Sequence, residues 1–113
     1  MPSTAQGARM SNTSAEVKSE IKVRNDLPEP GMFKIIYLND SKTTMDFVIG
    51  SLVEIFDYSP VTAEKITIDI HEAGSAVVAV MPYEMAEQKG IEVTVSARAN
   101  GFPLQIKLEP END

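Results

Sequence analysis

An α+β domain preceded by a polar tail is what this sequence predicts, and three observations predict it. Phe33 to Leu38 (FKIIYL) is a short, apolar, β-prone run. Met45, Val48, Ile49, Leu52, Val53 and Phe56 recur at i, i+3, i+4, i+7, i+8 and i+11, the stripe of one helix face. Ala76 to Met81 (AVVAVM) and Leu104 to Leu108 (LQIKL) then return to strand-like patterns.

The elements follow in order. The first strand, 33–38, ends in LNDSKT, a run of turn-forming residues. Thr43 is the expected cap of the first helix, with Asp46 three residues on as in a capping box. Ser59-Pro60 is the next helix start, with proline at the first helical position, and Gly74 is its stop. The second strand, 76–81, ends at Pro82. Residues 83–99 are longer than an ordinary strand, and Asn100-Gly101 closes them. The third strand is 104–108, followed by a polar end. Two segments are ambiguous. KITIDIH (65–71) and IEVTVSA (91–97) both alternate as strands do, while their length and flanking caps favour helix.

The 113 residues allow one small domain. Residues 1–31 contain no aromatic residue, are rich in Ser, Thr, Asn, Gln and Pro, and end in LPEPG. Such a stretch buries too little apolar area to offset its ordering entropy, so 1–31 is expected to be a flexible tail. The domain is expected over 32–109, with 110–113 a polar C-terminal end. Charge is uneven. Ten Lys and Arg stand against seventeen Asp and Glu, a net charge of −7. The tail is neutral, so the whole excess falls within 32–113.

Several functions are thereby excluded. A nucleic-acid partner needs Lys and Arg to displace counterions, and this acidic domain is repelled by phosphate. With no Cys and one His, there is no basis for a disulfide framework, a Cys-ligated metal or a thiol nucleophile. No metal or cofactor is expected. The start is too polar for a secretory signal, and no apolar run reaches the ~20 residues of a membrane span. A soluble, cytoplasmic protein without a membrane partner is the expectation.

LNDSKTTMDFVIGSLVEIF, then IHEAGSAVVAV, EMAEQKG and FPLQIKLE, resemble the ClpS family of adaptors for the ATP-dependent ClpAP protease. The resemblance covers roughly 32–109, in order and without a gap. It implies a β-α-α-β-α-β fold, a three-stranded antiparallel sheet packed against three helices, and so makes both ambiguous segments helical. It also implies an adaptor, not an enzyme. Proteins of this family bind N-degrons, the N-terminal Leu, Phe, Tyr or Trp of substrate proteins, and deliver them to a ClpA-like or ClpC-like AAA+ unfoldase with its peptidase.

That chemistry has definite needs. A free N-terminus is a cation with three donors and requires convergent acceptors, and its side chain requires an apolar pocket. Asn39 supplies an amide oxygen, Asp40 a carboxylate and His71 a ring nitrogen. The resemblance places these three at the α-amino group and Thr43, Met45, Thr67, Ile70 and Leu104 around the side chain. If 60–73 is helical, Thr67, Ile70 and His71 share a face. Glu84 and Lys89 match unfoldase-docking positions, and the tail is expected to reach the unfoldase pore. The sequence departs from the family at Ser41, often acidic, at Thr44, usually Pro, at Pro82, usually a Thr cap, and at Thr67, commonly Met. These departures suggest a divergent paralogue.

Plainer readings exist for every one of these residues. A lone His at a helix end is ordinarily a cap, Asn-Asp after a strand a turn, Met45 a core residue, and Glu84, Glu87 and Lys89 a solvated face. Two other functions stand beside the adaptor. One is an AAA+-binding or inhibitor module without an N-degron pocket. The weaker one is a small enzyme, because His71, Asp40 and Ser41 show no triad spacing and there is no glycine-rich phosphate loop.

Overall fold

The computed structural model describes residues 31–112. Residues 1–30 of the expected tail lie outside the described residues. The chain forms β1 (Met32–Leu38), α1 (Met45–Phe56), α2 (Pro60–Ala73), β2 (Ser75–Pro82), α3 (Tyr83–Ala99) and β3 (Gln105–Pro110). This is the β-α-α-β-α-β order that the resemblance implied. The strands make one antiparallel sheet in the order β2-β1-β3. The first strand in sequence is therefore the central one.

Both ambiguous segments are helical. In α2, Ala63, Thr67 and Ile70 are the buried positions, at helical spacing. In α3, the buried positions are Ala86, Gly90, Val93 and Ala97, a stripe of small residues along one face. The stripe lets α3 lie close on the sheet: a Cβ at Gly90 would meet Ile106 Cγ2 at 3.7 Å. Of the alternating residues, Ile70 and Val93 are buried while Ile68, Ile91 and Val95 are exposed, so the alternation does not mark one buried face as it would on a strand.

The helix ends follow local chemistry with one correction. The cap of α1 is Thr44, not Thr43: the Thr44 hydroxyl accepts from the Phe47 amide at 3.1 Å. Thr43 belongs to the Asp40 turn instead: its amide donates to Asp40 Oδ1 and its hydroxyl to Oδ2, both at 2.7 Å, so the helix starts one residue later. Ser59 caps α2 with Pro60 at its first position, and Gly74 ends it in the left-handed conformation, as expected. Proline at 82 does not delay α3. The helix begins at Tyr83 with no side-chain cap bond.

Ile35 and Tyr37 of β1 anchor the core, and Val48, Leu52, Ile70, Val93 and Leu104 close over it. Burying each large aliphatic stabilises the fold by roughly 1.5–3 kcal/mol. One polar pair lies inside. Tyr37 and Ser51 hydroxyls are 2.7 Å apart, and Ser51 donates to the Val48 carbonyl at 2.8 Å. The Tyr37 hydroxyl is thus the donor to Ser51. A bulge in β2 places Val78 between the partners of Ile35 and Ile36, and the Val78 carbonyl accepts from the Tyr58 hydroxyl. The third strand runs to Pro110, which pairs with Phe33, and the Glu111 amide donates to the Met32 carbonyl at 2.8 Å.

Candidate functional site

The register brings most of the predicted site to one end of the sheet. Leu38 pairs with Ser75 on one side and Gln105 on the other. The next residue, Asn39, therefore leaves β1 between Gly74 and Leu104. Its amide donates to the Gly74 carbonyl at 2.9 Å, which ties the end of β1 to the end of α2. His71 lies one turn before Gly74 and is exposed, as is Asn39. The α2 carbonyl end points here, and its partial negative charge favours a cation.

Asp40 is held by its own loop. Its Oδ1 accepts from the amides of Lys42 and Thr43 at 2.8 and 2.7 Å, and its Oδ2 accepts the Thr43 hydroxyl. Partial burial raises the carboxyl's proton affinity. The bonds from Thr43 and Lys42, with the nearby Arg98 charge, outweigh it and hold Asp40 below the usual carboxylate range. The group is ionised and fixed, and these three bonds leave one Oδ2 lone pair unused.

The apolar residues divide. Thr67, Ile70 and Leu104 are 2%, 3% and 1% exposed and belong to the core. Met45, at the first turn of α1, is 42% exposed, and Thr43 is half-buried. Met45 is thus not the core residue that its place on the apolar stripe suggests. A pocket of about 230 Å³ opens beside Asn39 and Asp40, but Leu38, Pro103 and Gln105 complete its lining. The Thr67 hydroxyl donates to the Ala63 carbonyl at 2.7 Å, so it is satisfied within its own helix.

Arg98 is a residue that sequence reasoning missed. One guanidinium nitrogen donates to the carbonyls of Phe102 and Leu104 at 3.0 and 2.9 Å, fixing the approach to β3 beside Asn39. No spacing signal marks it, because an Arg near a helix end ordinarily faces solvent.

Glu84 and Lys89 are not at this end. They follow Pro82, which pairs with Met32 at the opposite end of the sheet. Seven residue steps of β2 separate the two ends, roughly 23 Å of strand. Glu84 is exposed in the first turn of α3. Lys89 is half-buried, and its Nζ donates to the Ile55 carbonyl in the last turn of α1 at 3.0 Å. It satisfies one of the carbonyls that a helix end leaves without a partner.

Among the described residues no helix is long and apolar enough to cross a membrane, and no group of three or more acidic or imidazole side chains is placed to hold a metal. A family model described as "ATP-dependent Clp protease adaptor protein ClpS" matches residues 28–107. The ClpS adapter of Clostridium acetobutylicum is 41% identical over 88 residues, covering 78% of this chain and 87% of that protein. The ClpS adapter of Desulfatibacillum aliphaticivorans is 43% identical over 82 residues, covering 73% and 79%. The structure of Agrobacterium tumefaciens ClpS2 bound to L-phenylalaninamide superimposes with a TM-score of 0.71 at 37% identity, covering 74% of this chain and all of that one. With the fold, the matched span and the identity in agreement, the chain belongs to the ClpS family: it is an adaptor of the ATP-dependent Clp protease and not itself an enzyme.

Proposed function

We propose that this adaptor binds proteins by a free N-terminal large apolar residue and delivers them to a ClpA-like or ClpC-like AAA+ unfoldase. The observation that carries the reading is the position of Asn39 between Gly74 and Leu104. It gathers the Asn39 side chain with its amide oxygen, the ionised Asp40, the carbonyl end of α2 and His71 at one end of the sheet, beside the apolar core. An α-ammonium group is the ligand that such acceptors suit. L-Phenylalaninamide, bound by the Agrobacterium relative, carries that ammonium next to an aromatic side chain. In this reading Asn39, Asp40 and His71 receive the α-amino group. The side chain enters past Met45, an unbranched residue able to swing aside, and packs on Thr43, Thr67, Ile70 and Leu104. Glu84 and Lys89 dock the unfoldase at the other end, which keeps substrate and unfoldase from competing for one surface.

A fluorescence-anisotropy titration with a Phe-initiated peptide tests this directly. The expected result is saturable binding at micromolar or lower concentration that N-acetylation of the peptide abolishes. Equal affinity for the free and acetylated peptides rejects an ammonium site. No binding of either favours an interaction or inhibitor module without such a pocket. Delivery is read separately, as acceleration of degradation of a Phe-initiated substrate by each purified unfoldase with its peptidase.

A further inference from the structure

Between α3 and β3 lies an apolar groove that the site at the end of the sheet does not use. Gly90, Ile91 and Val95 of α3 and Ile106 and Leu108 of β3 line it, and Glu87 stands at its margin. Its volume is about 280 Å³. Ile91 and Val95 are 56% and 62% exposed, large values for β-branched aliphatics on a helix that packs against a sheet. The groove runs beside β3, which pairs only with β1 among the described residues and so presents a free edge. An apolar groove along a free strand edge is the place where an extended segment adds.

We propose that residues 17–24 of this chain (VKSEIKVR) occupy the groove, along the free edge of β3. Alternation is the first reason. In extended form Val17, Ser19, Ile21 and Val23 share one face, and Lys18, Glu20, Lys22 and Arg24 share the other. The apolar face matches Ile91, Val95, Ile106 and Leu108. Chain position is the second. Phe33 pairs with Pro110, and Glu111 donates to Met32, so the N-terminal segment joins the fold beside the end of β3. Seven residues, 25–31, connect it to β1 and span at most about 25 Å. Placing a strand outside β3 requires crossing two strand spacings, about 10 Å. Charge is the third reason. Residues 17–24 carry three basic side chains and one acidic, while the domain from 32 onward carries all of the −7 excess. A second copy of the domain would bring acid against acid.

The chain has no cysteine, so the full-length protein accepts a single label. Lys22→Cys, on the charged face, carries a nitroxide, and methyl signals are read with the label oxidised and reduced. The expected result is at least a twofold loss of intensity at Ile91, Val95, Ile106 and Leu108, with Val61 and Ile68 of α2 unaffected. Adding Ile21→Asp and Val23→Asp is expected to restore the signals. No loss at the groove overturns the proposal, and so does a loss that survives both aspartates. Loss transmitted from labelled chains to unlabelled ones in a mixture assigns the groove to a second copy and also overturns it.

Discussion

The backbone amide of Asn39 donates to the Gly74 carbonyl at 2.9 Å, and this single bond joins the two loops that carry the proposed ammonium site. Gly74 holds φ 91° and ψ −21°, a conformation open to glycine and costly for residues with a Cβ. No atom lies within 4 Å of a Cβ built there, so Gly74→Ala meets backbone strain and no clash. The expected loss is roughly 1–3 kcal/mol of stability, together with weaker peptide binding. Urea denaturation and anisotropy measure the two effects, and Gly74→Asn is expected to lose less of each because Asn tolerates the left-handed region. An unchanged urea midpoint in Gly74→Ala would remove this constraint from the account.

Asn39 and His71 are both exposed, so their truncation leaves the core intact. Asn39→Ala and His71→Ala are each expected to weaken binding of a Phe-initiated peptide by about 1–3 kcal/mol, the cost of an unpaired donor on a partly buried ammonium. That is roughly a five- to 150-fold rise in Kd. Circular dichroism should be unaltered. Wild-type affinity in both variants, with the fold intact, excludes them from the site.

Asp40 gives an acid-side signature. Its carboxyl is held below the ordinary value of 3.8 in the folded chain. The ionised form therefore supports the fold fully above that value, and the support fades as pH falls through the lower folded value. Asp40→Asn should melt below wild type at neutral pH. The gap in Tm should close as the pH passes down through the carboxylate range. A gap that stays constant on acidification shows that the Asp40 charge is not what holds the Lys42–Thr43 turn.

Tyr37 gives the alkaline counterpart. Burial pushes its phenol from 10.0 up to about 12. The unfolded chain then releases this proton before the folded one does. The contribution is complete below pH 10.0 and is lost as pH rises toward about 12. Tyr37→Phe is expected to cost on the order of 1 kcal/mol at neutral pH through the lost bond to Ser51. It should also flatten the alkaline fall in stability. Parallel stability curves for the two proteins above pH 10.0 would contradict it.

Much of the fold was legible because the signals were local. The stripe from Met45 to Phe56, the Ser59-Pro60 start and the Gly74 stop each depend on a few neighbouring residues. The cap falls at Thr44, one position later than expected, because the Thr43 amide and hydroxyl are both bound into the Asp40 turn, which spacing does not reveal. KITIDIH and IEVTVSA were ambiguous because β-branched residues at every second position imitate a strand, and length and flanking caps favoured the helices that form. At the site, the motifs named Asn39, Asp40 and His71, but only the register shows Asn39 lying between Gly74 and Leu104. Arg98 and the groove beside β3 had no sequence signal, since each is made by residues distant along the chain.

Thr67 supplies the last prediction, on which first residues are preferred. Its hydroxyl is bonded back to Ala63 at 2.7 Å, so the side chain offers its apolar neighbours a methyl group and little reach. The Met common at this position in the family extends further. With a shorter wall, a ligand must be long to touch it, and Phe, Tyr and Trp are long where Leu is not. A methylene-scale change in an apolar pocket is worth roughly 1–3 kcal/mol of discrimination. Wild type is therefore expected to prefer aromatic first residues to Leu, and Thr67→Met is expected to narrow that preference by restoring contact with Leu. In the proposed seating Met45 stands at the rim and should exclude Val and Ile in both, because a β-branched side chain is widest where Met45 would crowd it. Competition with Leu-, Phe-, Tyr-, Trp- and Ile-initiated peptides against both proteins measures this. If the Phe/Leu ratio does not fall in Thr67→Met, the length of the wall does not set the preference, and the side chain seats elsewhere than against α2.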